Sequence, residues 1–216
     1  MNSSAGILPI SRNDNGEVVF LIGKDSRDNV FSDFGGKTEK VDNDDPVNTA
    51  TREFYEETLG CMCNNPYDVR FRVKNMSIML MGETKNKNQY RMFVLEVPFV
   101  KNINSQFKKV MNFMKYKNIG TNLIEKSELV WVTFNELNKI PKRQVFEDTL
   151  HRNYAILQRI TVEDWKSLCA EFLFSSGEKK DTPRSLHSSP DSKYIPPSRY
   201  KRLSPGSSPD FYGKND

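Results

Sequence analysis

The sequence predicts an α+β domain, an α/β/α sandwich around a mixed β-sheet. Three observations carry the prediction. Short apolar, strand-like runs lie on both sides of one well-capped helix. Segments with helical apolar spacing follow the last of those runs. The end of the chain then drops out of both patterns.

The elements follow in order. Ala5 to Ile10 reads as a short strand, Asn13-Asp14-Asn15-Gly16 as a turn, and Glu17 to Lys24 as a second strand, so the two form a hairpin. Lys24 to Asp33 is a polar connection, and Phe34 anchors a glycine turn at Gly35-Gly36. Asp45 has the side chain of an N-cap and Pro46 suits the first helical position, while Gly60 suits a left-handed helix stop. Asp68 to Lys74 reads as a strand. Ser77 to Gly82 and Gln89 to Val97 are stronger strands, the latter almost continuously apolar as a central strand is. Phe107, Val110, Met111 and Met114 recur at helical spacing and predict a packing helix. Glu125 to Val132 is a loop running into a strand, and a short helix follows at Phe134 to Leu137. Two more helices are expected, Val145 to Arg159 and Val162 to Phe174, the second capped by Thr161.

The organisation is one domain over residues 1–174 and a tail over 175–216. The tail holds six of the eleven prolines and many serines, and is too poor in apolar residues to offset the entropy of ordering it. Disorder is expected there, with Ser-Pro and Thr-Pro dipeptides and the basic Arg199-Tyr200-Lys201-Arg202 as its features. Eight Lys or Arg against five Asp or Glu from Glu178 onward put +3 of the net +4 in the tail. The folded part is thus nearly neutral, which excludes a whole-domain basic footprint for nucleic acid.

The start lacks a basic stretch followed by an apolar one, and no run approaches membrane-spanning length, so no membrane partner is expected. Cys61, Cys63 and Cys169 are an odd set with only two histidines in the chain. They read as reduced packing residues of an intracellular, cytoplasmic protein rather than as a metal site.

Chemistry concentrates between Gly35 and Gly60. On the helix from Pro46, the residues Val47, Ala50, Thr51, Phe54 and Thr58 form one stripe, fit to pack on a sheet. Glu53, Glu56 and Glu57 occupy another arc. Like charges at that spacing repel. A multivalent cation removes the repulsion, and carboxylate oxygens are the ligands Mg²⁺ and Mn²⁺ prefer. Arg52 precedes Glu56 by one turn and can pair with it. Gly36-Lys37-Thr38 ends like a phosphate-binding P-loop, but Phe31 stands where that loop needs its first glycine, and a polar acidic loop follows rather than an apolar helix.

Together the glycine turn and the order Arg52-Glu53-x-x-Glu56-Glu57 resemble the Nudix box. Asp42 stands where that family has its first glutamate, with Asp44 and Glu39 as alternatives in the same loop. The spacer to Arg52 is nine residues instead of seven, and Gly60 falls one position late. The resemblance extends over about Ala5 to Leu137.

What the resemblance implies is hydrolysis of a diphosphate bond in a nucleoside diphosphate derivative. Mg²⁺ or Mn²⁺ would be held by Glu53, Glu56 and Glu57 with the Gly36 carbonyl. Arg52 would orient the glutamates, and a loop acid, Glu125 first and Glu128 second, would serve as general base. The implied partner is a nucleotide-type small molecule. Two alternatives stand beside it: an RNA 5′-end or cap hydrolase, which the basic tail favours, and a non-catalytic binding module of the same fold. Three mutually repelling carboxylates have no evident use in the last.

Overall fold

The computed structural model describes residues 3–121 and 124–175. Apart from Ser175, the predicted tail lies outside these residues, as do its Ser-Pro, Thr-Pro and basic features.

The expected sandwich is found. β1 (Ser4–Arg12) and β2 (Val18–Asp25) form the hairpin anticipated around Asn13 to Gly16, with Ile10 opposite Phe20. β3 (Phe31–Ser32) pairs with Gly23 and Lys24 of β2, so the polar connection contributes a short edge strand. β4 (Phe34–Lys37) runs antiparallel to the first half of β1, Gly35 opposite Gly6. β5 (Ser77–Glu83) and β6 (Gln89–Glu96) form a second antiparallel pair, and β6 lies parallel to β1. β7 (Lys126–Thr133) closes on β2. The central order is β3-β2-β1-β6-β5, and the β1–β6 pair makes the sheet mixed.

Alternation of side chains along the strands sends apolar residues to both faces. Ala5, Ile7, Leu21, Phe93, Leu95 and Leu129 face one layer, formed by α1 (Pro46–Glu57), α2 (Pro66–Met76) and α3 (Ile103–Lys117). Leu8, Ile10, Phe20, Ile22, Val94 and Val132 face the other, formed by α4 (Phe134–Lys139), α5 (Gln144–Arg152), α6 (Tyr154–Val162) and α7 (Trp165–Ser175). Burial on both faces explains why β1, β2 and β6 read as nearly continuous apolar runs.

Three expectations are corrected. Asp68 to Lys74 is helical, not extended. The Asn65 side chain accepts from the Tyr67 amide, Pro66 occupies the first turn, and Val69 and Val73, one turn apart, are buried. The Asn-Pro start outweighs the strand propensity of the two valines. The helix expected over Val145 to Arg159 is two helices broken at Asn153, whose side-chain amide donates to Thr149 O (2.8 Å) and across to Met81 O on β5 (3.0 Å). The last helix is capped by Asp164, which accepts from the Ser167 amide, and not by Thr161, whose hydroxyl donates back to Gln158 O.

Asp45 does cap α1, accepting from Val47 N; past the C-cap Thr58 the first left-handed residue is Leu59 (φ 52°), and Gly60 is left-handed after it (φ 70°). Phe107 is fully buried, in keeping with a packing role for α3. The three cysteines are free. Cys61 and Cys63 pack beside α1, while Cys169 is buried in the core of the opposite layer. Among the described residues, no helix is long and apolar enough to cross a membrane.

Candidate active site

The site forms where α1 passes β4. A Cβ on Gly36 would lie 2.4 Å from Glu53 Oε1, so any side chain there would push that carboxylate aside. The glutamate thus lies directly against the β4 backbone, and the glycine turn and the acidic helix act as one unit.

Arg52 ties the cluster together. Its Nε and Nη2 each donate at 3.0 Å to the two oxygens of Asp42, which accepts further from Thr49 Oγ1 and from the Glu39 amide. Its Nη1 reaches both Glu53 Oε1 (2.9 Å) and Glu56 Oε2 (3.1 Å), and Nη2 also meets Lys37 O. Of the three loop acids weighed from sequence, Asp42 is the one that engages the arginine. A forked pair of this kind supplies direction as well as charge.

Burial leaves the glutamates under-compensated. It pushes Glu53 up to about 7 against the pull of Arg52, with Glu56 and Glu125 adding repulsion. Glu56, more exposed, is also raised by burial. The Glu125 carboxylate, on an exposed loop before β7, therefore stands close enough to Glu53 to repel it. Glu128 instead faces α3, with Asn104 Nδ2 at 3.5 Å from its Oε1.

Glu57 sits apart from its two neighbours. Its Oε1 lies 3.1 Å from Lys126 Nζ and its Oε2 accepts from the Gly35 amide at 2.9 Å. Lys126 is fully buried and also donates to Ser32 Oγ (2.7 Å). Burial raises Glu57 to about 8 despite Lys126, and Glu53 and Asp33 add to the rise. Beside this pair, buried Asp33 accepts from Tyr90 Oη, and Arg143 grips Asp25.

Sequence reasoning missed Lys126, Asp33, Tyr90, Asp25 and Arg143. None belongs to a motif, and they come together only when β2, β3, β6, β7 and the start of α5 assemble. The nearest sequence signal was a lysine opening an apolar strand.

Among the described residues, no group of three or more His, Cys, Asp or Glu side chains is arranged to hold a metal ion as the side chains stand. The donor set nevertheless fits Mg²⁺ or Mn²⁺. Glu53 and Glu56 converge on one arginine nitrogen, are oxygen donors only, and carry charge that Arg52 shares with Asp42. Mg²⁺ needs no more than one or two carboxylates, completing its shell with water and substrate phosphate.

A cavity of about 900 Å³ opens between the β5–β6 turn and α5. Arg143, His151, Arg152, Lys85 and Lys87 line it together with Glu83 and Asp148; Glu83 pairs with Lys87 and Arg152, and Arg143 is common to this cavity and to the buried network.

Fold and cluster together define an α/β/α domain with a carboxylate–arginine centre at its glycine strand. No family model and no curated protein matches the sequence. In fold the chain is similar to solved structures that include several Nudix hydrolases. RenU from M. smegmatis is 12% identical, with 74% of this chain and 88% of that one covered and a TM-score of 0.45. The Ap4A hydrolase of C. elegans is 14% identical, with 73% and 98% covered and a TM-score of 0.44. The C-terminal domain of mouse MUTYH, solved with human PCNA, is 11% identical, with 76% and 93% covered and a TM-score of 0.44. These are likenesses of fold. The chemistry of the site rests on this chain's own residues.

Proposed function

We propose that this chain is a metal-dependent hydrolase of the Nudix type that cleaves a diphosphate linkage in a nucleoside diphosphate derivative. The observation that carries this reading is Arg52 gathering Asp42, Glu53 and Glu56 against the Gly36 strand. Buried carboxylates concentrated beyond their cations destabilise a fold, and a cation-binding site gives them a use.

In this reading Glu53 and Glu56 hold Mg²⁺ or Mn²⁺ with the Gly36 carbonyl. The bound metal would neutralise phosphate charge and ease deprotonation of water. Arg52 keeps the two glutamates in register with β4. Glu125, an exposed acid whose charge repels Glu53, accepts the proton of the attacking water. Arg143 and the cationic side chains of the cavity it lines receive the anionic remainder of the substrate. The second reading, an RNA 5′ end or cap as substrate, draws on the same cavity, where Lys85 and Arg143 offer phosphate contacts and Lys87 and Arg152 share Glu83. The 1–174 domain would carry the activity.

The test is a substrate panel of nucleotide sugars, dinucleoside polyphosphates, nucleoside triphosphates and capped RNA, with Mg²⁺ or Mn²⁺ and products identified by mass. Diphosphate cleavage that EDTA abolishes and added Mg²⁺ restores is expected. Glu56→Gln should lower kcat by more than the roughly 10- to 100-fold typical of a residue that only supports a metal ligand. Turnover at full rate in chelator, or an unimpaired Glu56→Gln enzyme, overturns the proposal.

A further inference from the structure

The pairing between β2 and β7 slips once. Glu128 stands opposite Lys24, but Asp25 is opposite Lys126, leaving Ser127 as an extra residue. In an unbroken ladder Lys126 would share the face of Val130 and Val132, which pack against the α4–α7 layer. The bulge turns it to the face of Leu21 and Leu129, where α1 lies.

The lysine stem then crosses Gly23, where a Cβ would come within 2.9 Å of Lys126 Cδ and 3.0 Å of Cγ. Only glycine leaves room for it. At the end of this channel the ammonium meets Glu57 Oε1 and Ser32 Oγ. Both Glu57 oxygens are engaged, Oε1 by Lys126 and Oε2 by the Gly35 amide, and the side chain is only 3% exposed. Each oxygen thus already has a protein partner, and the carboxylate is shut off from solvent.

We infer that Lys126 is a built-in counter-cation for Glu57, and that it removes Glu57 from the set of metal ligands. Glu57 is then a positioning residue: it clamps the Gly35 amide and fixes the glycine strand against α1. Metal binding falls to Glu53 and Glu56, to which Lys126 makes no ion pair. The inference rests on the metal-hydrolase reading, and it makes the third glutamate of the helix do different work from the other two.

The experiment counts Mn²⁺ on the full chain by electron paramagnetic resonance and titration calorimetry. The key variant is the double change Lys126→Met with Glu57→Gln, which removes both charges and keeps both volumes, so that no buried ion is left alone. It should bind as many Mn²⁺ ions as wild type, with affinity weakened less than about 10-fold, whereas Glu53→Gln and Glu56→Gln should each weaken it more. The single change Lys126→Met frees the Glu57 carboxylate and should add one Mn²⁺ ion, with a larger Mn²⁺-induced rise in Tm than wild type shows.

Loss of an ion, or weakening beyond about 100-fold, in the double variant identifies Glu57 as a ligand and overturns the inference while leaving the hydrolase reading standing. Lys126→Met that gains neither an ion nor extra Mn²⁺ stabilisation also overturns it. Failure of wild type to bind Mn²⁺ overturns both.

Discussion

Arg52 and Asp42 meet through two parallel hydrogen bonds of 3.0 Å, with side chains only 9% and 3% exposed. They lie ten residues apart, one on α1 and one at the end of the short 3-10 turn before it. The pair fixes the acidic loop over the helix and, through the same guanidinium, the two proposed metal-binding glutamates.

Removing one side of such a pair should therefore have two separable effects. Arg52→Ala leaves Asp42, Glu53 and Glu56 without their shared cation and should cost about 3–5 kcal/mol in the metal-free protein. Urea unfolding in EDTA measures it. Arg52→Lys keeps a charge but not the fork, and should weaken Mg²⁺ binding by about 10- to 100-fold with a smaller loss of stability. Equal stability of wild type and Arg52→Ala in EDTA refutes the assigned role.

Asp33 predicts a pH dependence. Burial raises it to about 6 from an ordinary value of 3.8, although it accepts from Tyr90. The native state thus holds a proton that the unfolded chain has released between those values. Stability is greatest below about pH 4 and falls as pH rises through about 6, by roughly 2–3 kcal/mol from this group. Asp33→Asn keeps an acceptor for Tyr90 and has no charge to bury. In EDTA, the wild-type stability curve should fall relative to that of the variant between pH 4 and 7. Parallel curves would dispose of the prediction.

The tail should be dispensable for folding. A chain ending at Phe174 is expected to melt within about 2 °C of the full chain, a shift that corresponds to less than about 1 kcal/mol for a domain of this size. Hydrolysis of small substrates should be retained. If RNA is a substrate, the shortened chain should bind it more weakly and with a shallower salt dependence, since phosphate contacts release counterions. A large fall in Tm would make the tail part of the domain.

The sequence by itself determined the fold class, the main strands and the acidic helix, because each rests on local signals. Nearly continuous apolar runs mark β1, β2 and β6, the Asp45-Pro46 start marks α1, and the spacing of Glu53, Glu56 and Glu57 places three acids on one arc. Local signals also misled where two of them competed: the valines of α2 against its Asn-Pro cap, and the helical run after Val145 against Asn153. Which loop acid meets Arg52, and that Lys126 reaches Glu57, only the tertiary structure decided. The first depends on how the loop from Thr38 to Asp45 folds back over α1. The second depends on a single extra residue in the β2–β7 ladder, which reverses the direction of a side chain. Neither leaves a mark in composition or spacing, since a bulge is set by the pairing of two strands a hundred residues apart in the chain.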